Sequence, residues 1–427
     1  MKPTKAIKTA FSLYNMAWAA AIPFLKKKER IADGIDQRLF IDTGKGNADI
    51  WIQSASAGEA YLTLEILDSL SLKGPIKLWL TTNTRQGMDI LEQGRKTLIT
   101  KHPDLHIRIS FAPFDKPGLM EKAVLNVRPR LMVLVELEMW PGLLFSLKKI
   151  GCKILIVNGR LTGKSLKRYL FFPSLWKALA PDEICAISHG DAGRFSQLFP
   201  NSRVRFLPNI KFDRLTHLPN TMSDNPLAGL FKPQNPIIVL GSVRQEEEYL
   251  VEQIVQKITR ENPTIQIALF PRHMHRIPAW ARRLDSLGIP WATRSGLTES
   301  TLMNKVILWD QFGELSYAYA LATAAFVGGS LAPLGGQNFL EVLQSGVIPV
   351  TGPHWSNFSW VGEEIIQKGL LLIEKTWENV ASRLLVQVSS PVPKDLVRQR
   401  AIDYLEKKKG GTQMVCERIR ALFNQTP

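Results

Sequence analysis

The chain is short of cysteine. Cys152, Cys185 and Cys416 are the only three in 427 residues. They are odd in number and far apart, which excludes a disulfide framework or closely spaced zinc ligands and points to a reducing compartment. Acidic residues are scarce as well: 38 Asp and Glu against 54 Lys and Arg leave a net charge of +16. Such a field attracts nucleic acid, anionic lipid or a phosphorylated substrate. The sequence carries no zinc finger and no aromatic ribonucleoprotein signature, so nucleic acid is not an expected partner. No apolar run reaches the ~20 residues that cross a bilayer comfortably. Short repeats and low-complexity tracts are missing too.

What remains is an ordinary globular composition, 45% hydrophobic and 22% charged. The length suggests two domains. Near the start, Lys2, Lys5 and Lys8 precede an apolar segment from Ala10 to Leu25, and Lys26, Lys27, Lys28 and Arg30 follow it. The segment has no small-residue cleavage site, and basic residues on its far side are wrong for a signal peptide. Tyr14 and Trp18 suit an interface. Residues 1–30 therefore read as a membrane-associated segment that lies on the surface or inserts shallowly, held by apolar burial and by attraction to anionic lipid. A core helix at a domain edge and a single transmembrane anchor are the other readings.

After Asn47, short apolar strands alternate with helical stretches. Ile50–Gln53, Ile76–Thr82, Ile107–Phe111, Leu131–Val135, Lys153–Val157 and Glu183–Ile187 read as strands. Continuous apolar strands between helices signal a parallel sheet covered on both faces. The pattern lapses from Arg214 to Pro236, a stretch rich in Pro and Asn, and resumes with strands at Ile237–Leu240, Ile265–Phe270, Val306–Leu308, Ala324–Val327, Val347–Val350 and Leu370–Ile373. Lys394–Phe423 reads as one long helix. The expectation is an α/β protein with two Rossmann-like, doubly wound parallel-sheet domains and an interdomain cleft. The domains span residues 31–213 and 237–427, residues 214–236 link them, and the last helix is free to pack back on the first. In such sheets ligands sit beyond the carboxyl ends of strands.

Chemistry-bearing residues cluster at those ends. Phe326-Val327-Gly328-Gly329-Ser330 is a strand running into a glycine-rich turn, and Gly335-Gly336-Gln337-Asn338-Phe339-Leu340-Glu341 opens a helix. Glycines let a ligand approach bare backbone, and a helix N-terminus offers N–H groups to an anion. Asn338 and Glu341, three apart, share one side of the first turn. This layout suits a nucleotide, its phosphate on amides and its ribose on the carboxylate. After the first strand, Ser54-Ala55-Ser56-Ala57-Gly58-Glu59 presents Glu59 at a helix start. It is either a general base for an acceptor hydroxyl or a helix-terminal charge. Glu136 and Glu138 follow an apolar strand, positioning a substrate or holding a basic partner such as Arg160 or Lys211. Arg272 and His273 end another strand, and the planar, permanent charge of Arg272 suits a phosphate.

Taken in order, SASAGE, FAPFD, ELEMWP, NGRLTGKS, PNIKFD, PRH, FGEL, FVGGSL, GGQNFLE and GPHWSNF resemble the 3-deoxy-D-manno-octulosonic acid (Kdo) transferases of lipopolysaccharide synthesis, from about residue 10 to 423. The resemblance implies a GT-B glycosyltransferase at the cytoplasmic face of the inner membrane. It would move Kdo from CMP-Kdo to a lipid A precursor with inversion, without a metal or a separate cofactor. It implies catalytic roles for Glu59 and Glu138. Arg272, His273, Gly328, Gly329, Ser330, Gly336, Gln337, Asn338 and Glu341 would form the donor site, and Ser56, Gly58, Arg160 and Lys211 the acceptor or cleft side. Two departures stand out. The family's Ser-Thr-His/Arg-x-Gly-Glu-Glu is Ser242-Val243-Arg244-Gln245-Glu246-Glu247 here, and its Gly-Gly-His-Asn reads Gly335-Gly336-Gln337-Asn338. Gln337 can donate only a neutral hydrogen bond. A UDP-sugar enzyme of the same fold and a non-catalytic basic lipid-binding protein are the alternatives.

Overall fold

The computed structural model describes residues 5–41, 46–214, 225–232, 234–297 and 306–425. The chain forms two compact units, Met1–Leu215 with Lys408–Pro427, and Thr216–Lys407. The first unit is built on β1 (Ile50–Ser54), β2 (Ile76–Thr82), β3 (Leu105–Phe111), β4 (Leu131–Val135), β5 (Lys153–Gly159), β6 (Glu183–Ala186) and β7 (Arg203–Phe206). They pair in parallel in the order β3-β2-β1-β4-β5-β6-β7. Every residue of β1 and β4 is buried, because helices cover both faces. Alternate side chains feed two cores. Trp51, Met132, Leu134, Ile154 and Ile156 enter one, while Ile50, Ile52, Leu131, Val133 and Leu155 enter the other. The two buried indoles at the sheet centre are satisfied: Trp51 Nε1 donates to Thr81 Oγ1 at 2.7 Å and Trp79 Nε1 to Ser110 Oγ at 2.8 Å.

The amino-terminal helix, Lys5–Lys26, lies against this unit. Phe11 is buried and stacks on Phe145 at 4.3 Å, and Trp18 sits 5.6 Å from the Phe114 ring. Tyr14 Oη donates to Asp115 Oδ2 at 2.9 Å. Asp115 also serves a helix start: its oxygens accept from Gly142 N at 2.8 Å and Leu143 N at 2.7 Å, at the start of Pro141–Lys149. Burial raises its carboxyl to about 7, against these bonds. On the outer face of the amino-terminal helix, Leu13, Met16 and Phe24 are more than 60% exposed. The helix is thus packed on one side and apolar to solvent on the other. No helix among the described residues is long and apolar enough to cross a membrane.

The second unit repeats the plan with β8 (Ile237–Val243), β9 (Gln266–Pro271), β10 (Trp291–Thr293), β11 (Val306–Leu308), β12 (Ala324–Val327), β13 (Pro349–Thr351) and β14 (Leu372–Ile373). Their order is β10-β11-β9-β8-β12-β13-β14, all parallel. Part of the expected linker, residues 215–224 and 233, lies outside the described residues. The rest of it is not a linker. Leu227 is fully buried, Asn225 Nδ2 donates to Tyr317 O at 2.9 Å and Phe231 stacks on Trp309 at 6.4 Å, all within the second unit.

The single long helix expected at 394–423 is two helices, Lys394–Glu406 and Gly411–Asn424. Gly410 breaks it at φ 97°, a conformation that costs glycine nothing. The second of these helices belongs to the first unit. Val415, Cys416, Ile419, Leu422 and Phe423 enter its core, and the Arg418 guanidinium grips the fully buried Glu183 carboxylate at 2.6 and 3.0 Å. Asp213 accepts from Gly410 N, Thr412 N and Thr412 Oγ1, fixing the turn.

Candidate active site

In the first unit the ends of β1 and β4 bring three carboxylates into electrostatic reach. The helix Ala57–Ser69 follows β1 and is capped by Ser56, whose hydroxyl accepts from Glu59 N at 3.5 Å. Glu59 folds back on the same turn. Its Oε1 accepts from Ser56 Oγ at 3.0 Å and its Oε2 from Ala55 N at 2.6 Å. Unlike a capping box, in which the third helical residue accepts from the cap's own N–H, Glu59 reaches one residue further back, to Ala55 N. Desolvation nonetheless dominates its titration, and with repulsion from Glu138 and Glu136 it lifts the carboxyl to about 7 despite the two hydrogen bonds. Gly58 is exposed beside it.

Glu138 is buried and accepts at Oε2 from Trp140 Nε1 at 2.9 Å, Gln53 Nε2 at 3.2 Å and Asn83 Nδ2 at 3.4 Å. Burial raises its pKa as well. Glu136 does not share these partners: Lys211 Nζ donates to its Oε1 at 2.6 Å. Lys211, one of the two basic partners suggested by the sequence, therefore pairs with Glu136. Arg160 directly follows β5 and is partly exposed. Glu136 and Asn158 both have positive φ, 61° and 53°, at the ends of β4 and β5. Non-glycine residues there are uncommon and cluster at functional sites. Ser242, at φ 56°, holds the matching place in β8 of the second unit.

The glycine-rich turn of the second unit differs from its reading in sequence. The amides after β12 already have an anion. Glu247 is fully buried, and its carboxylate accepts from the backbone N–H of Gly329, Ser330 and Leu331 and from Arg244 N at 3.1 Å. A Cβ at Gly328 would lie 2.7 Å from Glu247 Oε1 and 2.5 Å from Ser242 O, so the glycine makes room for this carboxylate rather than for a ligand. The Gly328, Gly336 and Gln337 amides donate to Gly241 O, Gly329 O and Gly328 O. Ser330 is buried, its Oγ donating to Val327 O at 2.6 Å and accepting from Gly352 N at 2.8 Å. No reading of the sequence assigned Glu247 this part. Glu247 lies just past β8 and the glycine turn just past β12, and only the β8–β12 pairing brings them together.

The helix expected to carry Asn338 starts later, at Leu340–Gln344. Asn338 sits before it, its Oδ1 accepting from Leu340 N at 3.2 Å and its Nδ2 donating to Glu341 Oε1 at 2.7 Å. A short amide side chain favours capping over continuing a helix. Glu341 is raised by burial and held down by Asn338 and by the Arg272 charge, so Arg272, Asn338 and Glu341 act on one locus. Arg272 and His273 are exposed after β9, and the His273 imidazole is lowered, by desolvation first and then by the charges of Arg244 and Arg272. Gln337 Nε2 lies close to Gly329.

Residues 33–214 match the family model described as 3-deoxy-D-manno-octulosonic-acid transferase (kdotransferase). Over 379 residues the chain is 28% identical to the 3-deoxy-D-manno-octulosonic acid transferase of Bordetella pertussis, covering 87% of each. Over 378 residues it is 24% identical to the protein of the same name from Haemophilus influenzae, covering 87% of this chain and 86% of the relative. A solved glycosyltransferase from Rickettsia africae ESF-5 aligns with 89% of this chain and 100% of its own, at a TM-score of 0.58 and 10% identity, a likeness of fold. The architecture is that of GT-B glycosyltransferases.

Proposed function

We propose, from the premise that this chain belongs to the 3-deoxy-D-manno-octulosonic acid transferase family, that it moves Kdo from CMP-Kdo to a tetraacylated lipid A precursor, lipid IV-A. The reaction is a metal-independent, inverting glycosyl transfer that needs no separate cofactor and serves lipopolysaccharide synthesis. It takes place at the cytoplasmic face of the inner membrane, where the exposed apolar face of the amino-terminal helix meets anionic lipid.

The observation that carries this reading is the Glu59 carboxyl, raised to about 7 by burial and by two neighbouring carboxylates. A base that titrates near the working pH is best placed to take a proton from a sugar hydroxyl. Its two oxygens each retain a lone pair beyond the bonds from Ala55 and Ser56, so a hydroxyl can add to the shell. As Glu59 takes the proton, the acceptor oxygen bonds to the anomeric carbon of Kdo. The bond from that carbon to the CMP phosphate oxygen breaks, and CMP leaves with the electron pair. Arg272 neutralises the phosphate, Glu341 receives ribose hydroxyls and Asn338 orients Glu341. The occupied amides of the glycine turn leave phosphate neutralisation to side chains. Glu138 holds its partners around the acceptor, and Lys211 keeps Glu136 paired.

Replacing Glu59 with Gln preserves shape and removes the base. The expected result is a fall in Kdo transfer of at least ~10²-fold with circular dichroism unchanged. The wild type gains turnover as pH rises through about 7, where this carboxyl ionises. A variant that keeps most of its turnover overturns the assignment.

A further inference from the structure

The first unit holds a cavity of about 530 Å³ beneath the amino-terminal helix. Trp18, Leu25, Ile31, Phe114, Met120 and Leu143 give it apolar walls. At one end lies Arg38, only 5% exposed. Its Nη2 donates to Asn83 O at 2.9 Å and its guanidinium stacks 4.4 Å from the Phe111 ring, but its Nε has no hydrogen-bond partner. No carboxylate among the described residues forms an ion pair with it. Asp33, whose charge reaches it, is bonded to Arg85 at 3.2 Å. Asp115, also in the wall, is occupied by Tyr14, Gly142 and Leu143. A buried guanidinium with an idle donor is costly unless an anion completes it. Lys28, exposed, adds a second positive charge to the lining.

The cavity also adjoins the carboxylate site. Asn83, which accepts from Arg38 through its carbonyl, donates from Nδ2 to Glu138 Oε2 at 3.4 Å. One wall is the amino-terminal helix whose other face carries exposed Leu13, Met16 and Phe24. An apolar cavity with one unbalanced cation, next to a helix suited to lipid, fits an amphiphile that bears a phosphate.

We propose that this cavity seats the phosphorylated, acylated part of the lipid acceptor. A phosphate oxygen accepts from Arg38 Nε, and the first part of an acyl chain lies along Trp18, Leu25 and Phe114. Naming the occupant as the acceptor rests on the transferase reading; the binding chemistry does not.

The test is equilibrium binding by the purified full chain in detergent micelles. The probe is a tetraacylated glucosamine disaccharide bisphosphate with a nitroxide on one acyl chain, compared with the same molecule lacking its phosphates. Trp18 and Trp51 line the cavity, so binding quenches tryptophan emission, and the quenching shrinks in Trp18→Phe. Arg38→Gln weakens the bisphosphate roughly tenfold or more and leaves the phosphate-free probe unchanged, as expected for one charge-assisted bond. Arg38→Lys recovers part of the loss. Equal weakening of both probes by Arg38→Gln overturns the proposal. So does equal affinity of the wild type for both probes, which decides the matter even where a variant fails to fold. Kdo transfer without this binding pattern removes the cavity assignment alone; the pattern without any transfer supports the cavity and removes the transferase reading.

Discussion

Two glutamates at helix starts, Glu59 and Glu247, show how alike residues diverge with their surroundings. Both are raised by burial. Glu247 collects four backbone N–H donors and has no exposed surface, so it acts as an internal anion that shapes the turn after β12. Glu247→Ala would leave those amides unpaired, and a loss on the order of 3–5 kcal/mol in urea unfolding is expected. Glu59 keeps two bonds and partial exposure. Because its carboxyl is raised above the ordinary value to about 7, the native state holds that proton more tightly than the unfolded chain. Its contribution to stability therefore falls as pH rises from the usual glutamate range toward 7, and the Gln variant escapes this loss. Glu59→Gln melting higher than the wild type at pH 8, but not at pH 4, would show a residue kept for chemistry at the expense of stability. At this scale the sequence put Glu59 and Glu138 just past strand ends and Glu341 beside Asn338, and the structure has them there. It misjudged the glycines, since nothing in Gly328-Gly329-Ser330 says that a carboxylate more than eighty positions earlier fills the space.

Elements were most legible where burial is complete. β2, β4 and β11 run over the stretches that apolar continuity marked. β7, with Arg203, Arg205 and Phe206 exposed, and the three-residue β10 escaped notice because edge strands carry little of the apolar pattern. The helix His189–Leu198 was missed too, although Ser188 capping Asp191 N is a start signal visible in sequence. The run from Lys394 onward read as one helix because good helix formers outweigh one glycine until backbone geometry is seen. Its last segment is tied to the first unit by the Arg418–Glu183 pair, with Arg205 as a second partner 3.1 Å from Glu183. Arg418→Ala leaves Glu183 buried with one cation, and a destabilisation on the order of 3 kcal/mol follows, measurable as a lowered thermal midpoint.

For the whole molecule, the sequence delivered two parallel sheets, a basic composition and a last helix free to return to the first unit, but it assigned to a linker residues that the second unit holds. The amino-terminal helix changes how attachment to lipid should be examined. Deleting residues 1–28 would strip Phe11, Tyr14 and Trp18 from a core, so loss of binding after such a deletion would also report unfolding. The substitutions Leu13→Glu, Met16→Glu and Phe24→Glu touch only exposed positions. Together they are expected to abolish sedimentation with anionic vesicles while preserving melting temperature. The wild type should bind such vesicles more weakly as salt is raised, since part of the attraction is screened. Sedimentation unaffected by the triple change would remove the helix from that role.

The helix Gly411–Asn424 follows the second unit in the chain yet completes the first. While the ribosome makes the intervening second unit, the hydrophobic surface awaiting Ile419, Leu422 and Phe423 stays uncovered on the nascent chain. Folding from the amino terminus forward cannot close that unit until the second has been made. The growing polypeptide thus presents a long-lived sticky face, a natural client for chaperones, and a stop codon placed ahead of this helix would damage the first unit.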